Sequence, residues 1–352
     1  MEGVVSDNNH GGYLLGGSMT MKKYEYLIKP LSIGRKDKSK PKKKTSERKV
    51  FFNAPEYAAQ KVCLTGKELE GLKLCFDWGF KTKLGDWHEG RDPHTHPYPE
   101  VHFYVGLDTA NINYLGAEVE TCLGKEQETF SFAEPTVIVI PAGLPHGPTT
   151  TKRIYSPKGF GFYLAALSNV THTEWMANPK PGPSKGKYAH LVKPLKAGIL
   201  IERGKFNTSR FTQEELAKRA QRTRESGFML GPGNADQLAW LYGRDLEGLN
   251  LNLDWGFFSK PGLWHRGVGA HTHPVDEVLV FAGVDPSDID YLGAEIEIDL
   301  GKEHERHIIN KPSVVICPAG LPHCPIITRW IDKPHAFFSI NLSSQPESSY
   351  ID

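Results

Sequence analysis

The segments HTHPYPE at 94–100 and HTHPVDE at 271–277 each place two histidines two residues apart and a glutamate four residues after the second. On extended backbone, residues two apart project to one face. His94 and His96 therefore aim together, and Glu100 shares their parity, with Pro97 and Pro99 bending the path between. His146 arrives later, just after the turn residues Pro141, Ala142 and Gly143. Three imidazoles and one carboxylate brought together in this way suit a divalent transition metal. Four protein donors on an octahedral ion leave two positions for water or substrate. His271, His273, Glu277 and His323 repeat the set in the same register. The competing explanation is a group of buried core histidines. Against it, eight ligand-type residues keep matched positions while about half of their surroundings differ.

The elements that must position these residues come from a duplication. Residues 71–148 align without a gap to 248–325 at an offset of 177. The matches include FDWGF at 76 with LDWGF at 253, YLGAEVE at 114 with YLGAEIE at 291, and PAGLPH at 141 with PAGLPH at 318. Upstream, KYEYLIKPL at 23 matches KYAHLVKPL at 187 at an offset of 164, so the second copy holds 13 extra residues between the blocks. This gives a tail at 1–22, a first domain at 23–178, a Pro/Gly/Lys-rich linker at 179–187 and a second domain at 188–352. The insertion contains TQEELAKRAQRTRES, where Thr212 and Glu215 fit a capping box and predict a helix over 213–225. The corresponding part of the first copy is a basic, proline-interrupted segment at 35–49. Lacking interleaved aromatics, it reads as a solvated loop rather than a nucleic-acid contact.

Within each copy, short β-rich runs such as EVHFYVGLD and PTVIVIPAG alternate with Gly, Pro, Asn and Asp about every ten residues. That pattern predicts an all-β chain of two jelly-roll barrels with minor helix.

The composition excludes several partners. Net charge is +1, so no global excess of positive charge draws in nucleic acid or an anionic membrane. No apolar run is long enough to span a bilayer, the first 22 residues lack a secretory pattern, and no helix-turn-helix signature is present. Five cysteines without a CxxC pair favour a reducing, cytoplasmic compartment. A homo-oligomer is compatible with all of this.

The motifs HxHxxxE and PxGxxH resemble the two conserved motifs of the cupin superfamily, and their tandem occurrence resembles a bicupin. The resemblance covers both copies. It implies two double-stranded β-helix barrels and metal ligation by His94, His96, Glu100 and His146, and by His271, His273, Glu277 and His323. It departs from the common pattern at Gly106 and Gly283, which come one residue early, and at Thr150 and Ile327, where asparagine is common. None of these is a ligand. Imidazole-rich sites accept Mn, Fe, Ni, Co, Cu or Zn; the resemblance favours Mn or Fe, up to two per chain. A divalent ion with one carboxylate leaves the site at net +1, which favours a small anionic substrate or ligand. Oxalate decarboxylases are bicupins, but that group has an arginine two positions before HxH and a four-residue spacer. Here Asp92 and Gly269 stand at that position and the spacer is three, so oxalate chemistry is not expected. A dioxygenase, an isomerase or lyase of sugars or hydroxy acids, and a non-enzymatic small-molecule binding protein stay open.

Other repeated residues carry weaker signals. His88 and His265, each following a tryptophan (Trp87, Trp264), are candidates for proton transfer, with packing and turn capping as the alternative. Tyr114 and Tyr291 read as packing. Glu118 and Glu295 are either acids that orient a ligand imidazole or members of a solvated face. The copies differ where Arg91, His102 and Gly147 are replaced by Val268, Leu279 and Cys324. Arg91 could pair with an anionic substrate in the first site only. Cys324 follows ligand His323 and, on a regular strand, is expected to point away from the metal as an inert buried thiol.

Overall fold

The computed structural model describes residues 22–35, 58–87, 93–176, 182–183, 185–202, 205–206, 208–226, 234–264 and 269–351. Strand makes up about 46% and helix 10%, the balance expected of two all-β barrels. Every ladder among the described residues is antiparallel, and each copy contributes a large sheet and a second, six-stranded one, the small sheet, in which three strands are only two residues long.

The large sheet of the first copy runs Val192–Pro194, Thr136–Ile140, Glu100–Val105, Phe160–Ala166, Cys75–Lys81, Ala58–Leu64. That of the second runs Ile28–Pro30, Ser313–Cys317, Glu277–Gly283, His335–Asn341, Asn252–Phe258, Gln237–Leu241, and then two short strands. Their central strands are buried throughout, because each face has something to cover it. One face of the first sheet presents Phe76, Trp78 and Tyr163, which pack against Trp255 and Phe338 of the second, with Phe103 stacked on Tyr163. Trp78 lies 5.7 Å from Trp255 and 5.2 Å from Phe338, and Tyr163 lies 4.8 Å from Phe338. Offset and tilted ring pairs at these separations add to the burial of the rings themselves. The opposite face of each large sheet looks inward, toward the small sheet of its own copy.

The two KPL segments cross between copies. Ile28 pairs with Val315, so the strand before the first copy completes the large sheet of the second; Val192 pairs with Ile138 in the converse arrangement. Tyr24 then lies over Gly301 and donates to Glu303 Oε2 at 2.8 Å, while Tyr188 lies over Gly124 and donates to Glu126 Oε2 at 2.7 Å.

The predicted helix forms as α1 (Gln213–Ser226) with its capping box in place. The Thr212 N–H donates to Glu215 Oε2 at 2.7 Å, and the Glu215 N–H donates to Thr212 Oγ1 at 3.2 Å. No helix of the described residues is long and apolar enough to cross a membrane. The tail up to Met21, the basic segment beyond Arg35 and most of residues 177–184 lie outside the described residues.

Candidate metal centres

The heptapeptides bridge the two sheets of each barrel. His94 lies on the two-residue strand His94–Thr95 in the small sheet, directly across from His146. Glu100 opens the strand Glu100–Val105 in the large sheet. The prolines between them carry the chain across the gap, which a straight strand would not do. The second copy repeats this, with His271 across from His323 and Glu277 opening its own large-sheet strand.

The geometry is nearly the same in both. Ring centroids of His94, His96 and His146 lie 5.0, 4.2 and 5.1 Å apart; those of His271, His273 and His323 lie 4.9, 4.4 and 5.1 Å apart. In the first site each histidine offers a nitrogen within 4.8 Å of the others. Glu100 Oε1 lies 2.9 Å from His146 Nε2 and 3.6 Å from His96 Nε2. In the second, Glu277 Oε2 lies 3.1 Å from His323 Nε2 and 3.3 Å from His273 Nε2. All but His271, which is half-buried, are buried.

Backbone carbonyls orient the rings. His96 Nδ1 is 2.6 Å from the His172 carbonyl and His146 Nδ1 is 3.0 Å from that of Leu144. His273 Nδ1 is 2.6 Å from the Glu347 carbonyl and His323 Nδ1 is 2.9 Å from that of Leu321. A carbonyl accepts only, so each Nδ1 carries the proton and each Nε2 presents its lone pair to the centre. This donor set fits a divalent transition metal. Burial alone would raise the Glu100 carboxyl, but His102 and His146 outweigh it and hold it well below the usual carboxylate range. Burial likewise opposes ionisation of Glu277, and His273 and His323 overcome it. Both glutamates are therefore charged donors.

Each glutamate has a different second partner. Glu100 Oε1 lies 2.7 Å from His102 Nε2. Leu279 occupies that position in the second copy, where Asn341 Nδ2 instead donates to Glu277 Oε1 at 2.9 Å. The sequence carries a signal for His102, since two residues along a strand keeps one face, but it stands out there only as a difference between the copies. Asn341 was not legible, because it comes from a strand 64 residues away. Its only sequence signal is the contrast with Ala166 on the matching strand.

The remaining sequence candidates divide. His88, Arg91 and His265 lie outside the described residues. Trp87 and Trp264 are buried and donate through Nε1 to Thr151 Oγ1 at 2.8 Å and Thr328 Oγ1 at 2.6 Å, so both pack inside their barrels. Tyr114 is exposed and Tyr291 donates to Asp332, at the surface rather than in a core. Glu118 and Glu295 face outward to Arg153 at 3.3 Å and Arg329 at 3.7 Å. Cys324 departs from its expected orientation: its Sγ groups with nitrogens of His271 and His323 within 4.8 Å. The cause is local, because φ of Cys324 is +80°, which breaks strand alternation directly after His323. Burial raises its thiol pKa well above the usual value, in keeping with an unreactive group. The second site also opens beside a cavity of about 710 Å³ lined by His273, Gly320, Ser348 and Lys218 of α1.

No family model matches the chain, and no curated protein matches its sequence. Solved structures do match. Oxalate decarboxylase from Bacillus subtilis at pH 4.6 is 11% identical over 83% of this chain and 74% of that one, with a TM-score of 0.50. A tryptophan-to-phenylalanine variant of the Bacillus subtilis enzyme gives 11%, 85%, 76% and 0.51, and an arginine-to-alanine variant gives 13%, 85%, 76% and 0.50. The chain folds as a bicupin. At this identity the likeness speaks for the fold alone.

Proposed function

We propose that this bicupin is a metalloprotein with one divalent transition metal on His94, His96, Glu100 and His146 and a second on His271, His273, Glu277 and His323. Mn or Fe is the proposed ion, and a small anionic organic metabolite the proposed substrate or ligand. One observation carries the reading. In each site two histidines commit Nδ1 to a backbone carbonyl, so that two Nε2 lone pairs and a buried carboxylate face one point. Burying such a set without an ion would leave polar atoms poorly satisfied. Once bound, the metal supplies Lewis acidity at a site of net positive charge. The protein orients the donors through those carbonyls, His102 and Asn341, and excludes water by burial. Oxalate as substrate is not proposed, since Asp92 and Gly269 stand where that chemistry has an arginine.

Metal content per chain, measured by plasma mass spectrometry on protein supplied with Mn and Fe, tests this. Wild type is expected to hold near two equivalents, and His94→Ala and His271→Ala near one each. A wild type with none, or variants that lose nothing, would overturn the assignment.

A further inference from the structure

The inner faces of the two barrels differ at matched ladder positions. In the first copy the strand Cys75–Lys81 turns Phe76, Trp78 and Phe80 toward the second copy. By alternation, Asp77 and Lys81 lie on the face shared with Glu100 and His102. Lys61, the ladder partner of Gly79, joins them. Its Nζ lies 2.5 Å from Asp77 Oδ2. The corresponding residues of the second copy are Leu238, Asp254, Phe258 and Leu279. The aspartate is kept, while three basic groups of the first interior, Lys61, Lys81 and His102, are each replaced by a buried apolar side chain.

Lys81 is the most costly of the three. It is 4% exposed, and no carboxylate among the described residues forms an ion pair with it. Its Nζ sits 3.9 Å from the centre of the Trp87 ring. A cation–π contact returns less than it costs to take an ammonium out of water without a counter-ion. Burial, with Lys61 adding repulsion, pushes its pKa well down. The fold does not require this lysine. In the second copy Phe258 fills the same place and stacks on Trp264 at 3.7 Å. Lys81 lies six residues along its strand from the rung that holds Glu100, with aromatic side chains between them. Phe162 meets Trp87 edge-on at 4.8 Å and His102 at 5.5 Å, and His102 holds Glu100.

We infer that the interior of the first barrel binds a small carboxylate, with Lys81 as its counter-ion and the Lys61–Asp77 pair as the adjoining wall, and that the second barrel has no such site. This goes beyond the proposed function: it places an anionic ligand at Lys81 in one barrel, away from the metal ligands, and does not require that a metal be bound.

The test is thermal melting and equilibrium binding of the full chain with formate, acetate and malonate. It compares wild type with Lys81→Met, Lys81→Phe and, as a control on charge, the exposed Lys83→Met. Without carboxylate, both Lys81 variants are expected to melt at or above wild type, since they remove a buried cation that has no direct ion-pair partner among the described residues. At least one carboxylate should raise the melting temperature of wild type and Lys83→Met. The Lys81 variants should show no rise and should bind about tenfold more weakly or worse, with metal content unchanged. Equal binding by Lys81→Phe and wild type, or no shift of wild type with any of the three, would overturn the inference. If metal content is two per chain and no Lys81-dependent shift exists, the inference fails alone. If the shift exists in a chain that takes up no metal, the metal reading fails alone.

Discussion

His335 shows how one substitution between the copies changes the energetics of a barrel. Its ring is fully buried, 5.7 Å from Phe258 and 5.8 Å from Trp264, and neither nitrogen meets a hydrogen-bonding partner among the described residues. Burial pushes its pKa down from 6.5 to about 3. The folded value is below the unfolded one, so the native state binds fewer protons. Stability is intact above about pH 6.5 and falls as pH drops toward 3. Phe160 holds the matching position in the first copy. His335→Phe should therefore stabilise the chain at neutral pH by about 1–3 kcal/mol, the penalty of unsatisfied buried polar groups. Asp254 has the opposite sign: burial outweighs the hydrogen bonds donated by Ser339 and pushes its carboxyl up from 3.8 to about 7. Its contribution is fully present below about pH 3.8 and lost as pH rises through 7. Urea unfolding of wild type and His335→Phe at pH 4.5, 6 and 7.5 should accordingly show a smaller acid-side loss in the variant, with the Asp254 contribution left unchanged. An unchanged acid-side loss would assign that loss to other groups.

At the scale of elements, the exchanged arms and α1 make separate predictions. Gly301 has φ of +76°, and a Cβ there would fall 2.2 Å from the Tyr24 ring. Gly301→Ala combines a left-handed non-glycine residue with that clash, at about 1–3 kcal/mol for the backbone alone. The arm carrying Tyr24 and the strand Ile28–Pro30 should loosen, and limited proteolysis should cut it faster than in wild type. Gly124→Ala should do the same to the Tyr188 arm. For α1, Thr212→Ala removes one half of the capping box and should cost the helix about 1 kcal/mol, read as faster amide exchange in its first turn. The existence of each element was legible. KPL recurs with its tyrosine, and the TQEE start announces a helix. The exchange of arms was not legible, because a three-residue strand carries no record of which sheet edge it will meet.

At the scale of the whole molecule, the two large sheets pack face to face through Phe76, Trp78, Tyr163, Trp255 and Phe338, and each copy lends the other a strand. Two units joined in this way should unfold together. Calorimetry is expected to show one transition with calorimetric and van't Hoff enthalpies in agreement. Trp255→Ala, at a cost of about 3–5 kcal/mol, should lower that single transition rather than split off the second copy. Two resolved transitions would mean that the interface contributes little. Fully buried strands of this kind read in the sequence as continuous apolar runs, such as TVIVI, and such a run does not reveal what covers either face.

The sequence by itself determined the duplication, the β-rich barrels, the capped helix and the grouping of eight ligand-type residues into two sets. These are local or register properties: alternation along a strand, prolines within a heptapeptide, and identity at a constant offset. The tertiary structure decided which sheet each arm completes, that Asn341 serves Glu277 as His102 serves Glu100, that Cys324 turns toward its histidines, and that Lys61 and Lys81 line one barrel while Leu238 and Phe258 line the other. Each of these depends on strands distant in sequence closing around a common interior. Side chains from several strands meet there only after the barrel has formed, and no periodicity within a single strand encodes that meeting.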